Sequence, residues 1–380
     1  MGEDYSGGVL NAATELIRAK WSVPREKFGV PDGKLAVQNG LLDIRTRTLE
    51  PIEPEDYLTS QLPIEYDPDA ECPEFQASLD TVVPEDEKQQ KLQEFVGYCF
   101  WPSASYKRAL MLLGETDTGK STFLRVVEQL FREEDIANVS PEKLQSSKHE
   151  AANLEHKMVN IVDELDSHHL DMTDEIKKAI SGDPMTAEPK YEQAYRFTPT
   201  CKHIFASNKS LEVSRSEEAF WNRWITVVFE EQIPEDEQVS KDEMLARFED
   251  EAAGILNWAL DGLDRLRAQG GFSNVRSVDE TYQIWTEFGD EINEFIDLMI
   301  RPAKGNIVFT DDLYAAYEKF CELTDTECTL NQDQLTHEMQ ERGIGEYTMK
   351  WNPDSQQTTS AFEDITIQDL GPGVDREQNI

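Results

Sequence analysis

The chain has 380 residues, 36 Lys and Arg against 76 Asp and Glu, and a formal net charge of −40. The length allows two or three domains. An apolar share of 38% with seven Trp supports a packed core and argues against disorder. No apolar run is long enough to cross a bilayer, and the N-terminus lacks the layout of a signal peptide. The expectation is a soluble, cytoplasmic protein. The five cysteines (Cys72, Cys99, Cys201, Cys321 and Cys328) are scattered without a C-x-x-C pair. They read as ordinary core or surface residues rather than zinc ligands.

In chain order, residues 1–85 form a small α+β N-terminal segment. Leu35 to Ile44 reads as strand, Asn39-Gly40 turn and strand. Pro51, Pro54, Pro63, Pro68 and Pro73 punctuate an extended stretch, and Asp67-Pro68-Asp69 reads as a turn rather than a metal site. The spacing of Leu92, Phe95, Val96 and Cys99 predicts a helix over 86–100. Arg108 to Leu113 is a short apolar run expected of a buried parallel strand. A glycine loop follows, then a helix from Ser121 to Phe131. Three more buried strands are expected at Met158–Val162, His203–Ser207 and Trp224–Phe229. Strands alternating with helices predict an α/β fold with a parallel sheet covered on both faces. Residues 242–268 read as one long amphipathic helix. Beyond 276 the pattern predicts helices near 279–300, 311–323 and 332–342, with Thr310 and Asn331 as N-caps of the last two. Strands near 346–351 and 361–367 follow. Three helices and a β-hairpin describe a winged helix over 276–370, and 371–380 reads as a loose tail.

The chemistry concentrates in five places. Gly114-Glu115-Thr116-Asp117-Thr118-Gly119-Lys120-Ser121-Thr122 has the strand–loop–helix setting of a P-loop. Its glycines allow close backbone approach to phosphate, and its N–H groups and the helix N-terminus favour negative charge. Lys120 is expected at the β and γ phosphates, and Ser121 at a magnesium ion. Asp117 is expected to point outward. Asp163-Glu164 ends a buried strand, with Asp163 expected to hold magnesium and Glu164 to activate water. Two exposed acids in an acid-rich chain are the bland alternative. Asn208, at another strand end, is suited to hold the water near the γ phosphate, or is a plain turn residue. Arg223 is suited to reach the γ phosphate of a neighbouring subunit, or packs between two tryptophans. Ser181 to Tyr191 turns at Gly182-Asp183 and presents Lys190 and Tyr191, a cation and an aromatic face that suit single-stranded DNA. A solvated hairpin reads equally well.

In their order and spacing these elements resemble the helicase part of phage and plasmid primase–helicases, which are superfamily-3 AAA+ helicases. Gly114–Thr122 matches Walker A, Asp163-Glu164 Walker B, Ser181–Tyr191 the B′ element, His203–Asn208 motif C, and Arg223 the arginine finger. Residues 39–73 are similar to the segment that precedes the ATPase in that group, and Leu313 to Cys321 to its C-terminal winged helix. The resemblance implies a superfamily-3 AAA+ ATPase domain over 86–275 with a flanking helical bundle. It further implies a homo-oligomeric ring, a hexamer, that hydrolyses ATP with Mg2+ between subunits and draws one DNA strand through its pore. Duplex DNA or a protein at the winged helix, and a primase as partner, are further expectations. No primase catalytic segment is expected within the chain, and Thr116 and Thr118 stand where members often have Gly and Asn. Asn222 stands where members often have a second Arg. A P-loop ATPase that loads or remodels origin DNA without unwinding is the alternative.

Acidic residues lie in every segment rather than in a tail. Such charge opposes phosphate contacts in dilute buffer, whereas at molar salt the Debye length falls to about 3 Å and repulsion is screened. The composition therefore implies a salt-rich host. Circular dichroism is expected to report a folded chain in molar KCl and loss of structure on dialysis into dilute buffer. Full retention of structure there would overturn the salt adaptation.

Overall fold

The computed structural model describes residues 14–16, 28–31, 33–165, 173–189, 193–211, 213, 216–232, 241–288, 291–324, 328, 330–353 and 355–368. The chain divides into two compact units, 1–288 and 289–380.

The first unit is built on five parallel strands: β4 (Ala109–Leu113), β5 (Ile136–Ala137), β6 (Val159–Asp163), β9 (Lys202–Ser207) and β10 (Trp224–Val228). Their spatial order is β10-β4-β9-β6-β5. The strands are nearly continuous apolar runs because both faces of the sheet are covered. Side chains alternate between the faces. Leu110, Leu112, Ile161, Ile204 and Val227 enter one core with helices Asp86–Cys99, Lys120–Gln129 and Ala252–Gln269. Met111, Leu113, Val162, Phe205 and Val228 enter the other with helices Pro141–Ser146, Asp174–Ser181 and Val278–Glu287. This is a P-loop-like α/β core, as the alternation of elements predicts.

The N-terminal hairpin pairs β1 (Lys34–Val37) with β2 (Gly40–Asp43), and β3 (Thr48–Glu50) continues the sheet. Asn39 does more than turn the chain. Its side-chain amide bonds the carbonyl and N–H of Tyr66, both at 2.9 Å, and so fixes the extended proline stretch against the hairpin. Asp67 and Asp69 form a turn closed by the Asp67 carboxylate, as expected.

The single long helix expected over 242–268 is two helices, Lys241–Asp250 and Ala252–Gln269. Glu251 stands at the break. Its carboxylate accepts from the backbone N–H groups of Glu74 (2.9 Å) and Phe75 (2.8 Å), capping helix Pro73–Val82. An anion at a helix N-terminus satisfies donors that the helix leaves free. The helix expected near 279–300 is likewise two, Val278–Glu287 and Glu291–Met299. The first belongs to the first unit. Trp285 is 1% exposed, packs 4.9 Å from Trp224 between ring centroids and donates to Thr226 Oγ1 at 2.9 Å.

The second unit runs helix Glu291–Met299, β11 (Ile300–Phe309), helices Thr310–Thr324 and Gln332–Glu341, β12 (Glu346–Asn352) and β13 (Gln357–Ile367). The antiparallel sheet has the order β11-β13-β12, over a core of Phe295, Tyr317, Phe320, Leu335, Met339 and Phe362. The sequence reading lacks β11, whose Pro302 and Gly305 suggest a loop. As an edge strand it tolerates proline, and its register shifts between Pro302 and Ile307. Asn331 caps its helix through a capping box, as expected. Helix Thr310–Thr324 begins at Thr310 itself, whose hydroxyl lies 2.8 Å from Ser360 Oγ. Cys321 and Cys328 form a disulfide with a Cα separation of 5.7 Å, where the sequence reads all five cysteines as ordinary core or surface residues. The expected tail at 371–380 lies outside the described residues.

Close helix packing sets the depth of the first core. A Cβ on Gly97 would lie 2.2 Å from Ala259 O and 2.7 Å from Leu263 N, so helices Asp86–Cys99 and Ala252–Gln269 touch backbone to backbone. Gly97→Ala is expected to destabilise the chain by about 1–3 kcal/mol through overpacking. A fall in thermal midpoint would report this, and an unchanged midpoint would contradict the contact.

Candidate functional site: the loop between β4 and its helix

The loop leaves β4 at Gly114, which has φ +152°, and a Cβ there would lie 2.3 Å from Phe229 O. It re-enters the helix at Gly119, the N-cap residue, with φ +89°. Both positions therefore require glycine. Asp117 also has positive φ (62°) and is exposed, pointing outward as expected. Within the loop Thr118 Oγ1 donates to Glu115 O at 2.9 Å. Lys120 turns back into the loop. Its Nζ donates to Gly114 O (2.6 Å), Glu115 O (2.5 Å) and Thr118 Oγ1 (3.2 Å). The side chain is 6% exposed. Burial lowers its pKa, and the carboxylates of Asp163, Asp117 and Glu115 oppose that shift.

The sheet brings two further elements to the same edge. Asp163 ends β6, and its Oδ1 accepts from Ser121 Oγ at 3.1 Å. Glu164 follows in the left-handed region at φ 69°, exposed beside the loop's edge of the sheet. A non-glycine residue there costs on the order of 1 kcal/mol and is retained where its position matters. β9 lies between β4 and β6, with Ser207 opposite Leu113 and Ala206 opposite Asp163. Asn208 therefore emerges beside the loop, and its Nδ2 donates to Thr116 Oγ1 at 3.3 Å. Gln232 Nε2, which the sequence reading passed over, donates to Glu115 Oε2 at 3.0 Å. Thr122 lies on the first turn of the helix, half-buried. An ammonium, a hydroxyl, a carboxylate and an amide thus converge on one glycine loop.

Arg223 is not part of this group. It precedes β10, whose Trp224 pairs with Ala109 at the start of β4, so it lies at the opposite edge of the sheet. The five-residue strand separates it from the loop by roughly 16 Å. Arg223 Nε donates to Ser181 Oγ at 2.9 Å, and its guanidinium also donates to Ala219 O. Burial lowers its pKa, with Asp183 opposing. Arg108, at the start of β4, is the residue that sequence reasoning missed. Burial and the nearby Arg223 charge both lower its pKa. Its signal was its place before a buried strand that pairs with the strand after Arg223. The turn at Gly182-Asp183 is present, with Gly182 at φ +66°. β7 (Met185–Ala187) and β8 (Tyr195–Phe197) form the hairpin that follows. Lys190 and Tyr191 lie outside the described residues.

Two family models match parts of the chain. Residues 1–84 match a family described as D5 N terminal like, and residues 112–223 match a family of unknown function, DUF5906. The second span runs from the end of β4 to Arg223 and holds the glycine loop, Asp163, Glu164, Asn208 and Arg223, with Arg108 and Gln232 outside it. No curated protein matches the chain. Solved structures of the NrS-1 C-terminal region are similar at low identity. Its A-form apo structure gives a TM-score of 0.48 at 12% identity, covering 93% of this chain and 90% of that one. A further apo structure gives 0.43 at 12% identity, covering 93% and 89%. Among the described residues no helix is long and apolar enough to cross a membrane.

Below the site, at the start of β9, Lys202 is buried. It donates to Trp101 O at 2.8 Å and Thr200 O at 2.5 Å and lies 4.8 Å from the centroid of the Tyr98 ring. Burial lowers its pKa to about 8 from 10.5. The unfolded chain then binds more protons than the folded one between about pH 8 and 10.5, so this group adds stability as pH rises through that window and withdraws it as pH falls back through 8. Chemical denaturation of wild type and Lys202→Met at pH 7.5 and 9.5 tests this. The wild type is expected to gain stability relative to the variant at the higher pH, and parallel behaviour would refute it.

Proposed function

We propose that the chain is an ATP-driven DNA helicase of the superfamily-3 AAA+ type, acting in replication of a virus, phage or plasmid as a homo-oligomeric ring on single-stranded DNA. The observation that carries this reading is a divided site. Lys120, Ser121, Asp163 and Asn208 meet at one edge of the sheet, while Arg223 stands at the other. A chain that cannot bring its own arginine to its own loop is suited to a ring in which each subunit completes its neighbour's site. The strand order, with β4 between β9 and β10 in a parallel sheet, supports a P-loop ATPase core. The match of residues 1–84 to a D5 N terminal like family supports a replication setting. The helix–strand–helix–helix–strand–strand order of the second unit supports a winged helix.

The residues fit a magnesium nucleotide. Two positive-φ glycines open the loop backbone to phosphate, and Ser121 and Asp163 present a hydroxyl and a carboxylate side by side. The bound ion would neutralise phosphate charge. Lys120 exchanges loop carbonyls for phosphate oxygens, a change of partner with little reorganisation. Ser121 and Asp163 would hold the ion. Glu164 orients the attacking water and accepts its proton. Asn208, steadied by Thr116, holds that water in line. Arg223 of the next subunit stabilises charge in the transition state, with Arg108 adding positive potential beside it. Lys190 and Tyr191 at the hairpin grip the DNA strand through phosphate and base contacts.

ATP hydrolysis and displacement of a forked duplex in molar KCl test the reading. The wild type is expected to show hydrolysis stimulated by single-stranded DNA together with strand displacement. Lys120→Ala and Arg223→Ala should each lower hydrolysis on the order of a thousandfold. Mixing these two inactive variants should restore part of the activity, because an Arg223→Ala loop then meets an intact arginine from a Lys120→Ala neighbour. Lys190→Ala should retain hydrolysis and lose displacement. Hydrolysis indifferent to DNA with no displacement would sink the helicase, and failure of the mixture to recover would sink the shared site.

A further inference from the structure

Helix Gln332–Glu341 and strand β12 of the second unit enclose a groove of about 550 Å3, lined by Asp311, Gln332, Asp333, Gln340, Tyr347 and Met349 among others. β12 is an edge strand, since β13 is its sole neighbour among the described residues. Tyr347, Met349 and Trp351 alternate along it and share one face. Tyr347 packs edge-on against the buried ring of Phe362, so this is the core-facing side of the sheet. Along β12 the apolar alternation continues with rising exposure. Tyr347 is 44% exposed, Met349 57% and Trp351 62%. These are among the most exposed large apolar side chains of the described chain, gathered on one strand.

The charges around the groove decide what can sit there. Asp311, Asp333 and His337 line it, and among the described residues no Lys or Arg does. Two cations on the groove's own elements are engaged: the Arg342 guanidinium, at the end of the helix, pairs with Glu338, and Lys350 Nζ, on β12, lies 2.7 Å from Glu363 Oε1. A phosphate backbone would find acidic side chains and neutralised cations, the reverse of what nucleic acid requires. An extended peptide that presents apolar and basic residues two positions apart, on the same face, finds complementary groups. Its backbone can add to the open edge of β12, its apolar side chains can cover Met349 and Trp351, and its cations can pair with Asp311 and Asp333.

We propose that the β12 edge and its groove are a docking site for an extended basic–apolar segment of a partner protein, bound by strand addition. Nucleic acid is the competing occupant.

The probe is a fluorescent lysine–valine peptide of about ten residues, with valine and lysine taking turns along one face and threonine at the positions between, titrated against the full chain and followed by anisotropy. Comparison probes are a glutamate–valine peptide, the lysine–valine peptide with proline replacing alternate valines, and oligo-dT and duplex competitors. The lysine–valine peptide is expected to bind, and the glutamate and proline peptides to fail. Met349→Ser/Trp351→Ser should weaken binding at least about tenfold, and Asp333→Lys should weaken it further. The double serine variant keeps the net charge, so attraction of a cationic peptide to the acidic chain at large is unchanged by it. Its ATP hydrolysis should equal that of the wild type, which checks folding and separates this outcome from failure of the helicase reading. Equal binding by wild type and the double variant, or tolerance of proline, would overturn strand docking. Binding of oligo-dT or duplex that the same serine variant abolishes would assign the face to nucleic acid instead.

Discussion

The parallel pairing of β9 with both β4 and β6 is the constraint on which the candidate site rests. Leu113 opposite Ser207 and Ala206 opposite Asp163 bring three strand ends to one level. The residues that follow those ends, Gly114, Asn208 and Glu164, are thereby neighbours although they are far apart in the chain. A one-residue slip in either ladder would reverse every side chain of a strand that is buried on both faces. The cores on the two sides differ in composition, one built around Phe and Leu and the other around Trp224 and Trp285. Register is thus held by packing on both faces, and the site inherits that precision.

The two departures of the loop from the family pattern acquire a physical meaning in this geometry. Thr118 closes the loop on Glu115 O and accepts from Lys120, and Thr116 accepts from Asn208. Each hydroxyl does work within the loop. Under the proposed function Thr116 couples the residue that holds water to the loop that holds phosphate.

Much of the first unit was legible in the sequence because buried parallel strands are written as short apolar runs and the glycine loop has a fixed setting. What was illegible depended on partners distant in the chain. The break at Glu251 is invisible in helical periodicity, since its cause is the N-terminus of a helix at Pro73. β11 was hidden by Pro302 and Gly305, which an edge strand accepts. Arg108 looked like the polar start of a strand until β10 placed Arg223 beside it. The Cys321–Cys328 pairing depends on how a helix end and the following segment approach each other, which spacing alone leaves open. The turn at Gly182-Asp183 was legible, and in the structure it ends helix Asp174–Ser181 ahead of the β7–β8 hairpin.

The way cations are satisfied separates parts of this acidic chain. Arg47, Lys88, Arg132, Lys177, Arg342 and Lys350 are bonded to carboxylates, and their fields are locally cancelled. Lys120 and Arg223 donate instead to carbonyl and hydroxyl oxygens. A neutral partner satisfies the donor without cancelling its charge, so the positive potential remains for an arriving anion. In a chain with a net charge of −40, that distinction matters more than the number of basic residues. Under the proposed function it suits the loop and the far end of the strands to phosphate. It also marks the groove beside β12, where Arg342 and Lys350 are already paired, as a place suited to a basic peptide.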